Sequence, residues 1–181
     1  MESCTKADYF KVGMDLLADG GHTNVTVAGL CSRLGVTKGS FYHHFQSGPA
    51  FLRELLLFWE AGFAEGYERL HQLRGPADRI EFTKHLGIEL NHRAEAAIRA
   101  LARTDDFARE VQQRVTARGR VTLTETLIGA GVPPDRAPLL ADVGLTLLIG
   151  LQHSQHPEDR EHATRVFDEY QRWIEASSAA G

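Results

Sequence analysis

The sequence predicts an all-α protein of about nine helices, and three observations carry that prediction. Apolar residues recur at three- and four-residue spacing along nearly the whole chain. No sustained alternation of β-branched and polar residues occurs, so no sheet is expected. The periodic stretches are also punctuated by residues that open and close helices. Thr5, Thr26, Thr37 and Ser47 stand at starts, and Gly20-Gly21, Gly35, Gly75-Pro76 and Gly131-Val132-Pro133-Pro134 at ends.

In chain order, Thr5 caps a first helix to about Asp19, with Phe10, Met14 and Leu17 at helical spacing. Thr26 caps a second, Val27 to Leu34, and Thr37 a third, Lys38 to Phe45, with Phe41 and Phe45 facing inward. A long fourth helix follows Ser47 to about Leu73, and Pro49 sits near its start, where a missing N–H costs nothing. Its inward residues are expected to be Phe51, Leu55, Phe58, Trp59, Gly62, Phe63 and Tyr67. Five more helices are placed at about Ala77–Asn91, Ala94–Arg103, Asp106–Ala130, Arg136–His153 and Glu158–Ala176, with Ser177–Gly181 as a frayed end. The eighth is apolar nearly all round from Val143 to Leu151, so burial on more than one side is expected. The ninth carries one stripe, Ala163, Val166, Phe167, Tyr170 and Ile174.

Composition narrows the function. A chain of 181 residues, 43% hydrophobic and 24% charged, suits one or two globular domains. No apolar run reaches the roughly 18 residues of a membrane span, and the N-terminus lacks a basic stretch followed by an apolar one. The cytoplasm is the expected compartment. Two cysteines make no disulfide framework, and Cys31 reads as a small packing residue. His153, His156 and His162 cluster without a cysteine or carboxylate set, so no metal site is expected, and no cofactor. There is no Gly-x-Ser-x-Gly, phosphate-binding loop or His-Glu-x-x-His, so the chain is not expected to be an enzyme.

The second and third helices carry the chemistry. Two short helices that cross steeply need a small residue at the crossing and a sharp turn between them. Cys31 meets the first need and Gly35 the second, while Val36 plugs the corner. On the third helix Gly39 and His43 lie opposite Phe41 and Phe45, flanked by Lys38, Ser40 and Tyr42. A recognition helix enters the major groove with its N-terminal residues nearest the bases, so Lys38 and Ser40 are candidates for base contact. Gly39 lets the backbone approach closely. Thr37, Tyr42 and His43 suit phosphate oxygens, as does Thr26 with the N–H groups opening the second helix. Net charge is −4, and residues 1–52 carry four basic and four acidic side chains. Affinity for DNA therefore rests on a few placed contacts and not on bulk positive charge.

These residues carry a resemblance. Tyr9 to Leu52 resembles, without gaps over 44 residues, the DNA-binding domain of the TetR family of transcriptional regulators. The most specific part is Leu34-Gly35-Val36-Thr37-Lys38-Gly39-Ser40-Phe41-Tyr42-His43-His44-Phe45, against a family pattern of a small residue, Gly-Val, Ser/Thr, then Tyr-x-His-Phe. Thr26, Leu30 and Cys31 also fall where the family places threonine, an aliphatic and a small residue. The resemblance implies a helix-turn-helix domain over residues 1–46 and a helical effector-binding and dimerisation domain over residues 47–181. It further implies a homodimer on palindromic operator DNA, paired through the helices at about 136–153 and 158–176, that represses until a small molecule releases it. Two departures stand out. Gly48 occupies the place where the family usually has a phosphate-binding lysine, and Leu34 replaces the common alanine.

The rest of the chain is less specific. An effector pocket among the fourth to eighth helices has Phe58, Trp59, Phe82, His85, Glu89, Phe107, Thr122 and Thr126 as candidates by chemistry. The segment Asn91 to Asp105 resembles a stretch recurrent in one TetR subgroup, and its Arg/Glu content reads as interhelix ion pairing. The alternative is a TetR-like protein without small-molecule control that answers to a protein partner.

Overall fold

The computed structural model describes residues 4–178, with side chains to Ala176. Among the described residues it has nine α-helices, one short 3₁₀ turn and no strand. The helices are α1 (Lys6–Gly20), α2 (Val27–Leu34), α3 (Lys38–His44), α4 (Gly48–Gln72), α5 (Pro76–Glu89), α6 (His92–Leu101), α7 (Asp106–Gly129), α8 (Ala137–Gln152) and α9 (Arg160–Ser178). None is long and apolar enough to cross a membrane.

The punctuation residues work as the sequence predicts. The Thr5 hydroxyl accepts from the Asp8 N–H while the Asp8 carboxylate accepts from the Thr5 N–H, a reciprocal box that closes the start of α1. The Ser47 hydroxyl accepts from the Ala50 N–H at 3.2 Å at the head of α4. The later boundaries shift by a residue or two. α5 begins at Pro76, and α9 begins only at Arg160, because His153 to Asp159 form the turn between the last two helices. α9 reaches Ser178, so the fraying expected from Ser177 does not hold there, and residues 179–181 lie outside the described residues.

The described chain falls into two compact units. The first runs to Gly62 and takes in Arg93–Gln113. Its centre is aromatic: Tyr9, Phe41 and Phe51 are wholly buried and Phe45 almost so. Their rings meet edge-on, with Tyr9 and Phe45 centroids 5.4 Å apart and Phe45 and Phe51 4.9 Å apart. Gly13 lets α4 come this close, since a Cβ there would lie 2.9 Å from Phe51 Cζ. Two expectations are corrected. The buried stripe of α1 runs through Tyr9, Leu16 and Leu17, with Phe10 only half-buried at its edge. On α4, Phe58 and Gly62 are exposed and Leu56 takes a core place, because the buried face follows Phe51, Leu55, Leu56 and Trp59.

The second unit comprises Phe63–His92 and the chain from Arg114 onward. Leu123, Leu127, Val132, Ala137, Ala141, Tyr170 and Ile174 form its core. The Arg120 guanidinium grips the Asp142 carboxylate with two bonds of 2.5 and 2.9 Å, tying α7 to α8. On α8 of the single chain Leu139 is 69% exposed, and Val143, Leu147 and Ile149 are half-buried. The contact of α8 with α9 rests on Gly144. Over that glycine lies the Tyr170 ring, whose hydroxyl donates to the Leu140 carbonyl at 2.6 Å. A Cβ at Gly144 would meet the Tyr170 hydroxyl at 2.8 Å and its ring at 2.9 Å. Gly144→Ala should therefore cost about 1–2 kcal/mol in urea denaturation despite the better helix propensity of alanine, and Tyr170→Phe about 1 kcal/mol.

Candidate nucleic-acid interface

The turn between α2 and α3 sets the site. Gly35 closes α2 in the left-handed region, at φ 66° and ψ 30°, where a Cβ is strained. The Val36 N–H then donates to the Cys31 carbonyl at 3.0 Å, and the buried Cys31 thiol donates to the Thr37 carbonyl at 3.5 Å. Cys31 thus sits at the crossing and ties the end of α2 to the cap of α3. Thr26 and Thr37 cap their helices alike, each hydroxyl accepting from the N–H three residues on, at 3.0 and 3.3 Å. Neither helix has an acidic residue in its first turn, so both positive ends remain uncompensated.

On α3, Phe41 and Phe45 point inward, while Lys38, Gly39, Tyr42 and His43 are exposed. A Cβ at Gly39 would touch only Thr37 Oγ1, at 3.5 Å. Packing does not demand glycine there, and the surface beside it is open. Ser40 is different: it is half-buried, and its hydroxyl oxygen accepts from the Tyr9 hydroxyl at 3.1 Å. His44, on the neighbouring face, donates from Nε2 to the Cys4 carbonyl at 2.9 Å, which ties the start of the chain to α3. Lys6 is held by Glu54 at 2.7 Å and Arg33 by Asp19. Among the described residues Lys38 has no such acidic partner, so its charge faces outward. Sequence reasoning missed Tyr9 and its hold on Ser40.

The candidate effector residues are shared between the two units. In the first unit Phe58 is exposed and stacks on Phe10 at 4.9 Å, and Phe107 lies beneath the Arg53 guanidinium at 5.0 Å. In the second, Thr122 and Thr126 are buried, and Thr126 returns its proton to the Thr122 carbonyl. Phe82 is half-buried, His85 is exposed, and Glu89 is engaged by Arg160 at 2.9 Å. The Trp59 indole N–H donates to Glu95 Oε1 at 2.6 Å in the interior of the first unit.

Glu95 is the residue that reading by composition misplaced, since it is a buried carboxyl and not a surface ion-pair partner. Its signal lay in the apolar stripe Ala94, Ile98, Leu101 and Ala102 that it adjoins. Burial pushes it up from the usual 4.5 to about 7, against the Trp59 hydrogen bond and the Arg99 charge, which both pull it down. The folded state therefore keeps a proton that the unfolded chain has lost between those values. Stability should fall as pH rises from about 4.5 to about 7, by about 3 kcal/mol in all, and level off above. Urea denaturation across that range should show the decline, and Glu95→Gln should flatten it.

Comparison with known proteins agrees with this architecture. Residues 10–55 match the family model described as bacterial regulatory proteins, tetR family. No curated protein matches the sequence. Among solved structures, a transcriptional regulator from Rhodococcus sp. Rha1 is similar at a TM-score of 0.77 and 19% identity, covering 97% of this chain and 98% of that one. A transcriptional regulator from Saccharomonospora viridis, solved in complex with choline, is similar at 0.75 and 18%, covering 91% and 94%. The ketosteroid transcriptional regulator of Mycobacterium tuberculosis is similar at 0.68 and 18%, covering 96% and 94%. These likenesses show a common fold.

Proposed function

We propose that the chain, whose residues 10–55 match the model of the tetR family of bacterial regulatory proteins, is a repressor of that family that binds a palindromic operator as a homodimer and is released by a small molecule. It is a DNA-binding transcriptional regulator and not an enzyme. The observation that carries the finer reading is the outer face of α3. Lys38 and Gly39 stand exposed at the positive end, and Tyr42 and His43 in the last turn, of a short helix whose other face is locked by Phe41 and Phe45. In this reading residues 1–46 read DNA, while residues 47–181 bind the effector and pair the protomers. Lys38 and Ser40 meet base edges, and Thr26, Thr37, Tyr42 and His43 meet phosphates.

Dimerisation is supported by apolar surface left open on the last two helices. Leu139 on α8 and Trp173 on α9 are exposed, with half-buried Val143, Leu147 and Val166 on the same two helices. A second copy related by a two-fold axis would cover them and set two recognition helices about 34–36 Å apart, or a multiple of that. Choline and ketosteroid stand in the descriptions of similar proteins, which supports a small-molecule effector without naming it. The protein acts in the cytoplasm, where its operator is.

Gel shift on the DNA upstream of its own gene tests the reading. Lys38→Ala and Tyr42→Ala should each weaken binding about tenfold, and unchanged binding in both would refute the assigned recognition helix. Thermal shift against a metabolite panel tests the effector, since a ligand that prefers the folded state raises the melting temperature. Gly48 allows a third test. A Cβ there meets only Val27 Cγ2, at 3.7 Å, an ordinary contact, so a side chain is tolerated. Gly48→Lys should strengthen DNA binding at low salt and steepen the log–log salt dependence by about 0.9.

A further inference from the structure

We infer that Tyr9, a residue on α1 wholly out of reach of solvent, sets the base preference of Ser40 by occupying one lone pair of its oxygen and turning its proton toward the DNA. The inference rests on the reading of α3 as the recognition helix and adds a residue outside that helix to the specificity machinery.

A buried donor needs an acceptor. Tyr9 is 0% exposed, and its hydroxyl finds one partner among the described residues, Ser40 Oγ at 3.1 Å. Either hydroxyl could in principle donate to the other. If Ser40 donated, the phenolic proton of Tyr9 would be buried without an acceptor, which is costly. A phenol oxygen is also the poorer acceptor, because its lone pair is shared with the ring. Tyr9 therefore donates and Ser40 accepts.

The fate of Ser40's own proton follows. Hydroxyls inside helices commonly return their proton to the carbonyl four residues back. Thr83, Thr124, Thr126, Thr146 and Thr164 all do so here, at 2.8 Å. Ser40 makes no such bond among the described residues, since the carbonyl four residues back belongs to Val36, in the turn before α3. Its proton is left for an outside acceptor. Accepting from the phenol also polarises the serine O–H and makes it a better donor. The bare Gly39 beside it opens the approach.

A hydroxyl so biased recognises base edges that accept. In the major groove guanine offers N7 and O6, adenine N7 and thymine O4, whereas cytosine offers only its amino donor. Ser40 should therefore disfavour cytosine at the base it faces. Tyr9 takes one of the two lone pairs of Ser40 and fixes the rotation of its hydroxyl; without it both lone pairs and the rotation are free, and cytosine becomes more acceptable.

The test is selection of duplexes from a randomised pool by the full-length wild type, Ser40→Ala, Tyr9→Phe and the double variant, with melting temperatures recorded for each. The base pair in each half-site whose preference changes in Ser40→Ala is the one Ser40 reads. The wild type should exclude cytosine there by about fivefold, the worth of one hydrogen bond. Tyr9→Phe should lose that exclusion at the same base pair and no other, and should have no further effect on preference in the Ser40→Ala background. A lowered melting temperature alone leaves base preference unmoved, so the readout separates positioning from folding. Selection of sites whose preferences are identical in Tyr9→Phe and wild type would overturn the inference, as would a Ser40→Ala variant that changes no base pair. Failure of the wild type to select any duplex would instead refute the DNA-binding reading beneath it.

Discussion

The left-handed residue at Gly35 holds the reading face in place. A helix that ends in this conformation can restart almost at once in a new direction, and here α3 begins three residues later. The direction is then set by contacts that only that turn permits. The Cys31 thiol reaches the Thr37 carbonyl, Val36 reaches back to the Cys31 carbonyl, and Phe41 drops between α1 and α4. Once Phe41 and Phe45 are buried, the opposite face of α3 must point outward. The exposure of Lys38, Tyr42 and His43 is thus a consequence of the turn and of aromatic packing.

The first unit is stabilised by shape more than by charge. Its centre is a group of buried rings set among aliphatic side chains, and surface ion pairs such as Lys6 with Glu54 and Arg33 with Asp19 are each about half exposed. Such pairs contribute little in water. What they do is consume basic side chains that would otherwise attract phosphate. The interior also holds a carboxyl, Glu95, whose burial is only partly offset by the Trp59 indole and by Arg99. A carboxyl in that position lowers stability at neutral pH relative to acid, a liability that an ordinary apolar core would not carry.

Much of this was legible in the sequence where the determinants are local. Thr26, Thr37, Gly35 and the apolar pair Phe41 and Phe45 lie within a few residues of what they control, so α2 was placed to the residue and α3 to within one. What escaped depended on neighbours distant in the chain. Tyr9 and Phe10 are adjacent aromatics on one helix, and periodicity alone does not say which turns inward. The answer comes from α3, more than thirty residues away. Phe58 looked like core by spacing but stacks at the surface on Phe10, while Glu95 looked like surface by type but is buried beneath Trp59. In both cases residue type pointed one way and the packing of a second helix decided otherwise.

The electrical neutrality of residues 1–52 has a consequence for how such a protein divides itself in a cell. Sequence-independent attachment to the chromosome is driven almost wholly by release of counterions from phosphates, and it grows steeply with each positive side chain presented. With one outward lysine on α3 and a glycine at the head of α4, this unit presents few. Under the proposed function the bulk of the genome would then act as a poor sponge, and a larger share of the molecules would stay unbound between encounters. Occupancy of a specific site would follow the total number of copies more closely than for a strongly basic protein, with little buffering of each change in copy number.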